Sequence, residues 1–169
     1  MLDHFNSSEF EMEFRMDEQF NPVGKDDHYF IRGFIDRIDI LEDEIRIVDY
    51  KSKKMNSMID KKKVEQMKEL KDMQLALYIL FARREYGDKK IESYLQTFKS
   101  KYEHAEFAKA ATFDVGKADE YVHYNDEFEQ SLIAKIQEIK NSIIKGDFHY
   151  DDSDEDQCKW CEFKLMCNI

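Results

Sequence analysis

Residues that interrupt regular structure are scarce in this chain, with one proline and five glycines in 169 positions. Collagen-like and low-complexity polymers need many more of both, and 13 Phe, 9 Tyr and 1 Trp are too many large side chains for a disordered chain. Long apolar runs are also missing. The longest, Leu75 to Ala82, covers 8 residues, against the roughly 20 that a helix needs to cross a bilayer. The N-terminal residues lack the basic-then-apolar pattern of a secretory signal, so a cytoplasmic protein is expected. Cysteine is absent until the last twelve residues, which hold Cys158, Cys161 and Cys167. Three thiols cannot pair evenly, and their C-x2-C-x5-C spacing suits metal or cluster ligation better than a disulfide framework.

Positive charge is short as well. The formal net charge is -11, which at first argues against a nucleic-acid partner, because phosphate binding rests on Lys and Arg. The distribution of charge points the other way. Residues 1–50 carry 5 basic and 14 acidic side chains, residues 51–110 carry 15 and 9, and residues 111–169 carry 6 and 14. A cationic middle between acidic flanks can face a polyanion while some of the carboxylates hold a divalent metal. The same lysines, Lys61 to Lys71 above all, can also form a solvated helix face or dock on an acidic protein surface.

The length suits one hydrophobic core. Glu9 to Met16 alternates strictly and reads as a half-buried strand with Phe10, Met12, Phe14 and Met16 inward. After a turn near Asn21 to Gly24, two β-rich runs, His28 to Leu41 and Glu44 to Lys51, flank a tight loop at Glu42-Asp43 and form a hairpin. The period then becomes helical from about Asp60 to Tyr86, ended by Gly87. Ile91 to Phe98 reads as a strand and Ala111 to Val115 as a short one. Asn125 is the expected N-cap of a helix through Ile144, with Gly146 as its stop. The order predicts an α/β domain whose mixed sheet is flanked by helices, over residues 1–150, followed by a cysteine-rich segment over 151–169 packed on the same domain.

An antiparallel hairpin turning at Glu42-Asp43 pairs Ile38 with Ile47 and Ile40 with Ile45, and by the same register it sets Asp36 opposite Asp49 and Phe34 opposite Lys51. Directly opposed side chains lie roughly 4.5 to 5.5 Å apart at Cβ, where two carboxylates repel. A divalent cation offsets that, since carboxylates supply the hard oxygen ligands of Mg2+ or Mn2+. Lys51, two residues after Asp49, falls on the same face. The set is suited to metal-assisted phosphodiester hydrolysis, with the ammonium orienting the nucleophile or neutralising developing charge. The plainer alternative pairs Asp36 with Arg32 or Arg37 on a solvated face; Lys51 and the neighbouring isoleucines weigh against it.

Gly33-Phe34-Ile35-Asp36-Arg37-Ile38-Asp39, Ile47-Val48-Asp49-Tyr50-Lys51-Ser52 and Gln74-Leu75-Ala76-Leu77-Tyr78 resemble the G-x-x-D-R-x-D, D-Y-K-[ST] and Q-x-x-x-Y motifs of the PD-(D/E)XK nuclease superfamily, in its RecB-like branch. The resemblance implies a restriction-endonuclease-like core and a deoxyribonuclease dependent on Mg2+ or Mn2+. Asp36 and Asp49 would be metal ligands with the Tyr50 carbonyl, Lys51 the catalytic lysine, and Gln74 and Tyr78 part of the active-site surroundings. Cys158, Cys161 and Cys167 resemble the C-terminal motif of AddB-type and CRISPR-associated nucleases, where three thiolates join an upstream fourth around a [4Fe-4S] cluster. Here the fourth Cys is missing, which leaves one position for an exogenous ligand, a nearby Asp or His149, or a neighbouring chain, and Zn2+ competes with iron. The usual first helix, with its metal-binding His or Glu, is also missing. His4, Glu9, Glu11 and Glu13 are the nearby substitutes. The implied partner is DNA, single- or double-stranded, with a helicase or the preceding part of a longer nuclease, in repair, recombination, or phage or CRISPR-related processing. A catalytically incomplete module that binds nucleic acid or a protein is the alternative.

Overall fold

The computed structural model describes residues 7–52, 61–87, 89–97, 106–112 and 122–147, with the backbone alone at 61–63, 97 and 106–112. Among the described residues nine elements run in the order β1 (Ser7–Met16), β2 (Ile31–Ile40), β3 (Glu44–Lys51), α1 (Lys61–Lys68), α2 (Gln74–Tyr86), β4 (Lys90–Thr97), β5 (Glu106–Thr112), β6 (Val122–His123) and α3 (Asp126–Lys145). The strands form one six-stranded sheet in sequence order. It is mixed: β1, β2 and β3 are antiparallel neighbours, β3 and β4 are parallel, β4 and β5 antiparallel, and β5 and β6 parallel. A parallel pair needs a crossover, and α1 and α2 supply it between the two central strands. The α/β architecture expected from the element order is therefore present, with the restriction-endonuclease-like character that the motifs implied.

The hairpin register follows from its isoleucines. Ile38 faces Ile47 and Ile40 faces Ile45, the Leu41 N–H donates to the Glu44 carbonyl at 2.9 Å to close the loop, and Ile38, Ile45 and Ile47 are fully buried. Each such side chain contributes about 1.5 to 3 kcal/mol by leaving water, and a one-residue slip would turn all of them outward. α3 is bounded as its caps require. Asn125 Oδ1 accepts from the Phe128 N–H at 2.8 Å, and Gly146 has φ +67°, a left-handed conformation that favours glycine.

Three expectations need correction. The helix from Asp60 to Tyr86 is two helices. Leu70 adopts φ +56°, and the Lys71 N–H donates to the Gln66 carbonyl and the Leu70 N–H to the Met67 carbonyl, which is a Schellman cap on α1. Neither Gly nor Pro marks it, so the periodicity ran through the break. Strict alternation in β1 also fails, since Phe14 and Met16 are buried but Phe10 is 63% exposed. Glu11, at φ +49°, lies between the rungs Phe10–Arg37 and Met12–Ile35 and interrupts the pleat. The strand expected at Ala111 to Val115 starts earlier, as β5.

The chain forms two compact units, residues 1–133 and 134–169. The first holds the sheet, α1, α2 and the start of α3; in the second, the remainder of α3 and the residues just after it are described. Among the described residues no helix is long and apolar enough to cross a membrane. The cysteine-rich segment expected at 151–169 lies outside the described residues.

Gly33 sets how closely α2 approaches the sheet. A Cβ there would meet Phe14 Cε1 at 2.5 Å and Cζ at 2.7 Å, because the Phe14 ring lies over the glycine backbone. The same ring packs edge-on against Tyr78, centroids 5.8 Å apart, and against Phe81 at 5.0 Å. Gly33→Ala is therefore expected to cost about 1 to 3 kcal/mol through overpacking, read as a lower denaturant midpoint with an unchanged slope.

Candidate active site

The site forms where β2 and β3 separate. Their paired register runs from Ile40/Ile45 to Arg37/Val48 and stops one step short of Asp36 and Asp49, while β3 continues beside β4 as far as Lys51. The expected direct opposition of Asp36 with Asp49, and of Phe34 with Lys51, is thus not a ladder pairing. The Asp36 carboxylate takes up the freed backbone donor instead, with Oδ2 accepting from the Tyr50 N–H at 2.8 Å. A backbone donor left by a splayed ladder needs such a partner, and meeting that need holds Asp36 beside the residue next to Asp49.

Asp49 is 2% exposed. Its Oδ2 lies 2.6 Å from Lys51 Nζ as an ion pair, yet this buried atom has no partner in hydrogen-bonding geometry. Burial pushes the Asp49 carboxyl above the usual carboxylate range; the Lys51 ammonium opposes the shift, and the negative charges of Asp36 and Asp72 add to it. Lys51 Nζ also donates to Gln74 Oε1 at 3.1 Å, and Gln74 Nε2 donates to the Tyr78 hydroxyl at 2.9 Å. Gln74 and Tyr78, one helical turn apart at the start of α2, share a face. Tyr78 is 7% exposed. Its burial, and behind that the charges of Asp49 and Asp36, raise its phenol above the ordinary value, so it stays neutral.

The structure therefore brings Asp36, Asp49, the Tyr50 backbone, Lys51, Gln74 and Tyr78 together. The arginines that the plainer reading pairs with Asp36 bind other carboxylates: Arg37 Nε meets Asp39 and Arg32 Nε meets Glu13, both at 2.7 Å. Asp39, which also accepts from the Ser8 hydroxyl, is a buried structural anion. Of the suggested substitutes for a third carboxylate, Glu13 is bound to Arg15 and Arg32, Glu9 is exposed, and Glu11 is exposed at the rung between Phe10 and Met12. His4, Cys158, Cys161, Cys167 and His149 lie outside the described residues. Sequence reasoning missed Asp72. It lies in the break between α1 and α2, accepts from the Gln74 N–H at 3.3 Å and is close enough to act on Asp49. Its only signal was its place just before Gln74, which a continuous helix concealed.

Among the described residues no three metal-binding side chains converge. The groups present nevertheless fit a hard divalent cation. A buried carboxylate whose Oδ2 meets the Lys51 ammonium outside hydrogen-bonding geometry, a second carboxylate fixed beside it and a backbone carbonyl form an all-oxygen donor set. Asp36, Asp49 and the Tyr50 carbonyl would hold the ion.

Burying the Asp49 charge works against the metal-free fold. With its folded pKa above the unfolded value of 3.8, the folded state binds the proton more tightly. Stability then falls as pH rises from the unfolded to the folded pKa, and the penalty is fully present above both. Asp49→Asn should therefore raise the thermal midpoint measured in EDTA at neutral pH by roughly 2 to 4 °C, the size of about 1 kcal/mol in a chain of this length. An equal or lower midpoint contradicts the assignment of Asp49 as a buried charge awaiting a cation.

The family model of the PD-(D/E)XK nuclease superfamily matches residues 2–168. No curated protein matches the sequence. Among solved structures, the crystal structure of SSO0001 aligns over 95% of this chain and 59% of that one, at 15% identity and a TM-score of 0.46; the chain thus spans about three-fifths of that neighbour's length. With the match covering nearly all of its residues, the chain belongs to the PD-(D/E)XK nuclease superfamily, whose members are mostly nucleases and usually use Mg2+ or Mn2+.

Proposed function

We propose that this chain hydrolyses DNA phosphodiester bonds with the help of Mg2+ or Mn2+, in the manner of the RecB-like branch. The observation that carries the proposal is the Lys51 ammonium held between the buried Asp49 carboxylate and Gln74, with Asp36 fixed across the splayed strands. When bound, the divalent ion would polarise a phosphoryl oxygen and make water a stronger nucleophile.

The chain's own residues perform the rest. Lys51, at 35% side-chain exposure, keeps its ammonium at the site's mouth, where it can donate to an attacking water or to a phosphoryl oxygen that gains charge. Asp49 holds that ammonium in place as an ion pair, and Gln74 fixes its direction by accepting one of its three protons. Tyr78 fixes Gln74 in turn: its hydroxyl accepts from Nε2, while the ammonium, which can only donate, settles that Oε1 faces the lysine. Preorganised donors of this kind need no rearrangement as charge develops, which is where electrostatic stabilisation is largest.

The same proposal extends to a place in DNA repair, recombination, or phage or CRISPR-related processing in the cytoplasm, with a helicase or a further nuclease segment as partner. It also extends to Cys158, Cys161 and Cys167 as ligands of a [4Fe-4S] cluster or of Zn2+. Metal analysis of anaerobically purified protein addresses the thiols: iron with inorganic sulfide supports the cluster, zinc alone supports the second option, and neither metal removes both.

A second reading is a module that binds nucleic acid or protein without cutting, favoured by the want of a third converging carboxylate among the described residues. Hydrolysis of end-labelled single- and double-stranded DNA with Mn2+ or Mg2+ separates the two. The enzyme reading predicts cleavage by the wild type and a fall of about 100-fold or more in Lys51→Ala, within the range of removing one preorganised donor. Equal rates would remove Lys51 from the mechanism. Retained DNA binding without cleavage would establish the module.

A further inference from the structure

A groove of about 480 Å³ opens between β1 and the C-terminal half of α2, within the size range of ligand sites. Its floor is apolar. Phe14 and Phe81 are buried there, and the half-buried Met12 and Tyr86 join them, with the Tyr86 hydroxyl donating weakly to Met12 Sδ at 3.8 Å. Its rim is acidic. Glu9 and Glu85 line the groove and are both exposed, and neither has an ion-pair partner among the described residues. Burial, and after it the charges of these two carboxylates, push the Tyr86 phenol up to about 12, so both act on the same hydroxyl. The other charged residues of the lining, Glu13 and Arg15, bind each other at 2.7 Å. Two uncompensated carboxylates over an aromatic and thioether floor fit a lysine or arginine, whose aliphatic stem packs on apolar surface while its charged head stays at the edge.

The groove also borders an open sheet edge, because β1 is the last strand on its side of the sheet. The chain itself already adds a short segment there: the Val23 N–H donates to the Arg15 carbonyl at 3.0 Å, and Pro22 bridges to Met16. Backbone groups of an antiparallel strand turn alternately to one side and the other, so Glu13, two residues from Arg15, presents its N–H and carbonyl to the same edge. Past Val23, no strand among the described residues pairs with it. Edges are commonly blunted by charges and bulges, and Glu11, at φ +49°, does keep the open stretch short. Blunting alone needs no aromatic-floored groove behind the strand. The groove is remote from the catalytic groups: Gln74 and Tyr86 stand at opposite ends of α2, about 18 Å apart along the axis.

We propose that this groove docks an extended basic segment of a partner protein, which continues the edge pairing from Val23 toward Glu13 and lays a lysine or arginine over Tyr86 between Glu9 and Glu85. Main-chain hydrogen bonds supply affinity in such strand addition, and side-chain pockets supply the choice of sequence. Residues 1–50 carry 14 acidic and 5 basic side chains, a balance that steers a basic partner toward this part of the chain. The inference is independent of the nuclease reading, and a segment held here leaves Lys51 and Gln74 uncovered.

The test is fluorescence anisotropy of the full chain with short fluorescein-labelled peptides at about 0.15 M salt, where exposed charges more than about 8 Å apart are largely screened. One peptide alternates lysine with valine, a second has glutamate in place of lysine, and a third is the lysine peptide methylated on every backbone nitrogen. Wild type should bind the lysine peptide saturably, and about ten-fold or more tightly than either of the others. Glu9→Gln combined with Glu85→Gln should weaken that binding about five-fold or more, the scale of two ion pairs at a partly screened surface. Glu42→Gln combined with Asp43→Asn, which removes equal charge from the hairpin loop, should change it less than about two-fold.

Equal weakening in the two double variants would assign the binding to diffuse attraction and overturn the docking site. Undiminished binding of the methylated peptide would remove the strand addition and with it the proposal, as would absence of binding by the wild type. A concentration-dependent dimer in sedimentation that the Glu9→Gln and Glu85→Gln pair dissolves would assign the groove to a second copy of the chain and overturn the partner named here. None of these outcomes bears on DNA hydrolysis.

Discussion

The site depends on one buried charge. Asp49 sits at the end of a central strand with almost no exposure, an oxygen that has no partner in hydrogen-bonding geometry, and two further carboxylates near enough to raise its pKa. A buried carboxylate of this kind is costly unless a cation compensates it. Lys51 supplies part of the compensation at 2.6 Å, in a geometry that leaves the oxygen without a hydrogen bond. Gln74, Tyr78 and Phe14 then follow as consequences. Each fixes its predecessor, and the series ends on the backbone of Gly33, where a side chain would collide with the Phe14 ring. The site is thus supported by packing several residues away from the chemistry, as a preorganised site requires.

The sheet explains why the carboxylates meet here. β3 serves two partners: it is antiparallel to β2 over the apolar half of the hairpin and parallel to β4 along its whole length. Because the β4 pairing continues to Lys51 and the β2 pairing ends at Val48, the strands open like a V at Asp49. Side chains at the carboxyl end of a parallel strand face the crevice where open α/β sheets bind ligands. The crossover returns through α2, whose first turn brings Gln74 to that crevice.

Much of this was legible in the chain. The four isoleucines of the hairpin specify its register because burial penalises any slip, and Asn125 with Gly146 specifies α3 because both caps have a chemical signature. Asp36 and Asp49 lie near each other because their strands share one turn, although the ladder stops short of both, and Gln74 and Tyr78 reach them from α2. What stayed hidden had no compositional mark. A leucine, not a glycine, takes the left-handed cap at position 70, so two helices read as one and Asp72 was lost inside a supposed helix. Glu11 breaks the alternation of β1 through its backbone alone. The hydrogen bond from the Tyr50 N–H to Asp36 arises where the ladder ends, and period-two arithmetic carries every ladder on indefinitely. Interactions that depend on where pairing stops are tertiary, set by the competing pull of β4 on β3.

Whether Asp36 and Asp49 form one site for a divalent cation is tested most directly by calorimetric titration of the metal-free protein with Mn2+. Saturable binding by the wild type is predicted, weakened by about ten-fold or more in both Asp36→Asn and Asp49→Asn, as expected when one carboxylate ligand of a small all-oxygen set is neutralised. Binding unchanged in either variant, or no saturable heat from the wild type, would contradict it.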